Sequence, residues 1–161
     1  MKIIKYIVIM SFCVLMVSCE TQYGNVARYE YKIECLGVEL DGSQTLKAWG
    51  RGRNRSDAIE QAKKNAVYDV LFNGIRSGRD ICEQKPVLLE VNAHKKYEDY
   101  FNKFFRDKGE YLDYVSLKDE KVANKFSRNR KKDKESVVHG LVVRIDRSGL
   151  KKKMIEDGII K

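Results

Sequence analysis

Proline is nearly missing from this chain: Pro86 is the only one among 161 residues. No polyproline linker can therefore form, and no low-complexity stretch or internal repeat stands in for one. Histidine is scarce as well. His94 and His139 are the two side chains suited to act as bases near neutral pH, and neither has a nucleophile at a recognisable spacing. The patterns HExxH, GxSxG and CxxC are absent, while paired carboxylates such as Asp119 and Glu120 lie in charge-mixed stretches. These gaps leave out the familiar hydrolase and zinc arrangements. The expectation is a protein that is not an enzyme and holds no cofactor and no metal.

Long apolar sequence is lacking too. The run Ile7–Val17 is too short to cross a hydrocarbon core, which takes about 20 residues. It is preceded by Lys2 and Lys5 and followed by small Ser18, the three-part layout of a secretory signal. Leu15-Met16-Val17-Ser18-Cys19 resembles the lipobox of bacterial lipoproteins, although Met16 is an unusual residue at its place. The resemblance implies that the Cys19 thiol receives a diacylglyceryl group and that the new N-terminus is acylated by palmitate-type chains. Two or more chains give stable anchoring where one does not. The alternative is an ordinary secreted protein cut nearby.

Glu20-Thr21-Gln22 lacks the acidic run that marks surface export in lipoproteins of the Bacteroidota type. Nor is Glu20 the aspartate that resembles an inner-membrane retention signal in enteric bacteria. The resemblance thus implies an outer-membrane lipoprotein facing the periplasm.

Three regions follow: a signal peptide at 1–18, a lipidated N-terminus with a short tether at 19–28, and a single α+β periplasmic domain at 29–161. Leaving out 18 of 161 residues keeps 143, the size of one domain. The nine residues Glu20–Arg28 reach at most about 30 Å, so the domain sits close to its membrane. Cys13 is lost with the signal and Cys19 carries lipid, leaving Cys35 and Cys82. In an oxidising envelope these form a candidate disulfide that would contribute about 4 kcal/mol. Two buried free thiols are the other reading.

Alternation from Ala27 to Leu40, the turn Asp41-Gly42-Ser43 and the stretch Thr45–Gly50 predict a hairpin with Trp49 as its core plug. Gly50-Arg51-Gly52-Arg53-Asn54-Arg55-Ser56 carries a GxG, but Arg55 stands where a dinucleotide fingerprint needs its third glycine. No Walker lysine follows in register either, so a structural turn is expected. Ser56 is the expected N-cap of a helix with Asp57 and Glu60 in its first turn. Its apolar positions are Ala58, Ile59, Ala62, Ala66, Val67, Val70 and Leu71, and it ends between Gly74 and Gly78. The span 45–75, with Trp49-Gly50-Arg51-Gly52, Ser56 and the Ala58/Ala62/Ala66 helix, resembles the small envelope domain of flagellar-assembly protein FlgT and related lipoproteins. That resemblance implies an α+β fold and a scaffold role.

Pro86–Val91 reads as a short strand. His94–Lys108 reads as a helix with Tyr97, Tyr100, Phe101, Phe104 and Phe105 on one face. That face is either a core stripe or, for Tyr97, Tyr100, Phe101 and Phe104, a surface shared with a partner protein. Tyr111–Phe126 and Val137–Ile145 read as paired strands. Ser148 caps an expected last helix, Gly149–Asp157, which returns Leu150, Met154 and Ile155 to the core and leaves 158–161 as a free tail. The fold class is α+β: an antiparallel sheet of four to five strands with two longer helices and a short C-terminal helix packed on it.

Formal charge is +9, or +7 once Lys2 and Lys5 are set aside. Seven cations against Asp133 put +6 of this in residues 121–134. This run is a solvated loop or an anionic-surface docking site built on Lys125, Arg128, Arg130, Lys131, Lys132 and Lys134, with lipid head groups, peptidoglycan or an acidic partner as its target. Nucleic acid is not expected as a partner: the chain is exported, and Phe126 is the run's one aromatic, so no stacking platform exists. Two functions are expected. The first is a structural subunit of a trans-envelope assembly, with the type VI secretion membrane complex suggested by overall resemblance to Bacteroidota lipoproteins. The second is a binding module for peptidoglycan or another anionic ligand.

Overall fold

A computed structural model describes residues 32–117, 130–132 and 136–161, with the backbone alone for 130–132. Cys19, Lys125, Arg128 and Lys134 lie outside the described residues, as do the signal and the tether.

The fold is α+β, with a mostly antiparallel sheet. Strands β1 (Glu34–Val38) and β2 (Gln44–Gly52) form the expected hairpin. Asp41 closes its turn by accepting from both the backbone N–H and the hydroxyl of Ser43. The remaining strands are β3 (Ser77–Gly78), β4 (Val115–Ser116), β5 (Arg130–Lys132) and β6 (Val137–Ile145). Their order is β3-β1-β2-β6-β4, with β5 also paired to β6. Only the β1/β3 contact is parallel among the described pairs. Nothing in the sequence announced it, because β3 has two residues and owes its place to Cys35 beside it.

Helix α1 (Arg55–Tyr68) lies across β2 and β6, and the GxG explains how. A Cβ on Gly50 would fall 2.1 Å from the Ala58 carbonyl oxygen, and one on Gly52 would fall 2.5 Å from the Ala58 nitrogen. Both glycines belong to β2 and let the helix backbone rest on the strand. Ala58, Ala62 and Ala66, all fully buried, complete the close approach from the helix side. Asn65 then donates to the Trp49 carbonyl at 2.8 Å, tying helix to strand. The N-cap is Asn54 rather than Ser56: its side-chain oxygen accepts from the Asp57 N–H at 3.0 Å.

Side chains alternate along β2, so Leu46, Ala48 and Gly50 face α1 while Lys47 and Trp49 face away. Trp49 is therefore not the expected plug of the helix-covered core. Its ring crosses Gly140 on the far face, where a Cβ would meet it at 2.7 Å, and Lys47 Nζ sits 5.0 Å from the ring centre.

After Tyr68 the helix widens into one π-turn, Asp69–Asn73, and stops at Gly74 with φ +73°. The Val70 and Leu71 carbonyls then accept from the Val87 and Leu88 N–H groups at 3.0 and 2.9 Å. Residues 86–91 are thus not a strand but an irregular wall segment bonded to the helix end.

The expected aromatic helix is broken at Tyr97 into α2 (Ala93–Lys96) and α3 (Glu98–Phe104). Phe101 and Phe104 are each 1% exposed, so they belong to the chain's own core and not to a partner face. Tyr97 and Tyr100 are half-buried at its margin. Phe101 contacts Phe72, His94 and Tyr100 edge-on or stacked, with ring centres 4.9 to 5.7 Å apart.

Tyr111 lies in a short 3-10 segment, Glu110–Tyr114, and not in a strand. The strand that follows is β4, and Val115 opposes Ile145 while Arg130 opposes His139. The rest of the expected strand, 118–126, lies outside the described residues. Helix α4 (Arg147–Glu156) begins at Asp146, not Ser148, since Asp146 Oδ1 accepts from the Gly149 N–H at 2.8 Å. Leu150 and Met154 are fully buried, but Ile155 is 51% exposed. The tail is not free. Gly158 takes φ +71°, and the Ile159 and Ile160 N–H groups both return to the Met154 carbonyl at 2.9 Å.

Candidate functional site

The cysteine pair is settled in favour of the bridge. Cys35 in β1 and Cys82 are joined, with Cα atoms 6.0 Å apart and a sequence separation of 47. A closed loop of that length corresponds to about 4 kcal/mol in the chain-entropy account. Cys82 is followed directly by the wall segment, so the bridge holds one end of that wall and the α1 end holds its middle.

A cleft of about 700 Å³ opens between this wall and the C-terminal elements. Val87, Leu88 and Ile159 contribute buried apolar surface to its floor, beside half-buried Ile160. Around them stand Lys85, Lys96, Lys151, Lys161 and Arg147 against Glu83 and Glu90, five cations to two carboxylates. Lys96 is bound to Glu90 at 2.6 Å and also lies 5.0 Å from the Tyr97 ring centre. Glu83 accepts from the Lys85 N–H at 3.2 Å.

Arg147 is the centre of the arrangement. It is the first residue of α4 because Asp146 caps the helix, and Lys151 follows one turn later on the same side. Its Nη2 donates to the Lys85 carbonyl at 2.8 Å, fastening helix to wall. Its Nη1 is buried and has no hydrogen-bond partner among the described residues. A buried donor left in this state costs about 1–3 kcal/mol, more for a charged group. Burial lowers the guanidinium pKa from its ordinary value while Glu83 works the other way, and the group stays charged. No histidine, cysteine or serine lines the cleft. The arrangement can hold and orient an anion.

Two polar knots lie at the margin of the core, one part-buried and one exposed. Tyr111 donates to Glu60 at 2.7 Å, and Lys63 reaches the same carboxylate at 2.9 Å. Burial works to raise Glu60, but the bonds from Lys63 and Tyr111 outweigh it and hold the carboxyl below its ordinary value. Tyr100 donates to Asp157, which Lys153 also contacts at 3.1 Å while reaching Glu110 at 3.1 Å. Burial first, and then Asp157, pushes the Tyr100 phenol well up. These knots join α1 to the 3-10 segment and α3 to the C-terminus. Their place in the packing accounts for them without a ligand.

Of the expected docking residues, Arg130, Lys131 and Lys132 form β5 and pair with His139, Val138 and Val137. They therefore begin an ordered edge and do not belong wholly to a loop. The other three fall outside the described residues. Sequence reasoning missed the cleft. The signals that could have found it are Arg147 directly after a capping Asp and the Ile159-Ile160 pair after Gly158. Among the described residues no cluster of His, Cys, Asp or Glu is placed to hold a metal ion, and no helix is long and apolar enough to cross a membrane. The chain matches no protein family, no curated protein and no solved structure.

Proposed function

We propose that this protein is a lipid-anchored envelope protein, held at the periplasmic face of the outer membrane through Cys19, that serves as a non-catalytic structural subunit of a trans-envelope assembly. A type VI secretion membrane complex is the assembly that its resemblance to Bacteroidota lipoproteins suggests. The observation that carries the reading is the use of all four cysteines. Cys35 and Cys82 are bonded to each other, which fits an oxidising compartment. Cys13 lies within the apolar run, and Cys19 stands at its end behind Ser18. A body braced by a disulfide and two polar knots, bearing a basic β5 edge, suits docking.

The reading is tested by metabolic labelling with a clickable fatty acid in cells expressing the native chain or Cys19→Ser, followed by affinity purification from detergent-solubilised envelopes. Labelled native protein, an unlabelled variant and co-purifying envelope proteins are expected. Native protein that stays unlabelled, or that is recovered from the cytosol, overturns the anchor and the assembly role together. The basic run supports a second reading, an anionic-ligand module at 121–134. Salt-sensitive sedimentation with isolated peptidoglycan, lost on neutralising Arg128, Arg130, Lys131 and Lys132, would favour it.

A further inference from the structure

The geometry points to a binding site at Arg147 for the terminal carboxylate of a peptide whose last residue is apolar. The inference does not rest on the lipid anchor and holds for the chain in any compartment. Three features of the cleft combine to specify the ligand.

First, charge is unbalanced there. Five cations face two carboxylates: Glu90 is paired with Lys96 and Glu83 acts on Arg147, which leaves the side chains of Lys151 and Lys161 with no side-chain carboxylate partner among the described residues. Second, Arg147 is held in place by the Lys85 carbonyl yet keeps an unpaired Nη1. A planar guanidinium fixed on one arm is pre-set for a carboxylate on the other. Nη1 is closed to solvent, so the proposed carboxylate must displace a neighbouring side chain to reach it. Pairing an orphaned donor favours that displacement. Third, the floor next to this charge is apolar: Val87, Leu88, Ile159 and Ile160. Inorganic phosphate has nothing to place there. An apolar side chain on the carbon that bears the carboxylate does, and the cleft's volume lies within the range of small-ligand pockets. Capture of a chain terminus by its carboxylate is a recurring mode of peptide recognition.

The test is a methyl-detected NMR titration of the full-length protein in detergent with acetyl-Ala-Leu as the free acid, with acetyl-Ala-Leu amide, and with inorganic phosphate. The acid is expected to shift the methyl signals of Val87, Leu88, Ile159 and Ile160 saturably. It should bind at least tenfold more tightly than the amide and weaken as salt is added, while phosphate leaves those methyls unmoved. Arg147→Met should weaken the acid tenfold or more. Arg147→Lys, which keeps the charge and loses the fork, should fall between. Lys152→Gln, on the exposed side of α4, should bind as the native chain does.

Equal binding of acid and amide, shifts confined to other regions, or no saturable shift overturns the proposal. So does an Arg147→Met protein that binds like the native one. Should Arg147→Met fail to fold, the acid/amide comparison on the native chain and the charge reversal Lys151→Glu still decide it.

Discussion

Replacing Gly50 with alanine adds one methyl group at the place where α1 rests on β2. The added carbon would lie 2.1 Å from the Ala58 oxygen and 2.3 Å from the Ala62 nitrogen. Both are backbone atoms of a helix fixed by its own hydrogen bonds, so no side chain can turn aside. To restore ordinary contact the helix must back off by more than an ångström over this point. Ala62 and Ala66 would then be drawn away from the core cluster they share with Leu46, Ala48, Leu141 and Val143. Overpacking in a core costs about 1–3 kcal/mol where side chains can adjust, and backbone against backbone belongs at or above the top of that range. The control is Gly37→Ala, where nothing lies within 4 Å and φ is not positive. That change should stay within about 1 kcal/mol of the native chain. Urea unfolding with the disulfide intact, followed by the fluorescence of Trp49 on the far face of the same strand, measures both variants. A Gly50→Ala protein as stable as Gly37→Ala would refute the packing argument.

Three further outcomes are expected. Cys35→Ser with Cys82→Ser should lower the stability by up to about 4 kcal/mol, and reductant should shift the native urea midpoint while leaving the double variant where it is. Phe104→Ala, at a side chain 1% exposed, should cost about 3–5 kcal/mol, and its thermal midpoint should fall before any partner is added; a variant that keeps its midpoint would return Phe104 to the surface. The Asp69 carboxyl is pushed above its ordinary value by burial, against a hydrogen bond from Asn73. The folded state therefore holds that proton more tightly than the unfolded chain, so this group's contribution falls as pH rises from 3.8 through the folded value. Asp69→Asn should remove that decline, read from thermal midpoints across acid pH.

Where the pattern was local, the fold was legible. The Ala58/Ala62/Ala66 spacing identified α1, and Asp41-Gly42-Ser43 identified the first turn, because each is decided within one element. The aromatic face of residues 97–105 was legible as a stripe. Its break at Tyr97, with φ −114° and ψ +38°, was not, since no glycine or proline marks it. Trp49 was misplaced for a related reason. Alternation states which residues share a face but not which face the helix covers, and Gly50 and Gly52 settle that only once α1 lies on them. The wall at 86–91 looked like a strand because apolar residues run together in it. Its partners are helix carbonyls, and periodicity carries no sign of them. Of the cleft, only one side left local signals, Arg147 after a capping Asp and the Ile159-Ile160 pair; no spacing rule links residues 147–161 to residues 83–97 opposite.

The widening of α1 into a π-turn also has a bearing on motion. The Val70 and Leu71 carbonyls are held by amides from outside the helix, so the cleft wall cannot lift without exposing the last turn of α1. Amide exchange at Val87 and Leu88 should then follow the opening of that turn and not the fraying of the sheet's outer strands. The rim around Arg147 would thus be among the slower-exchanging surfaces of the protein, although it contains no sheet pairing of its own.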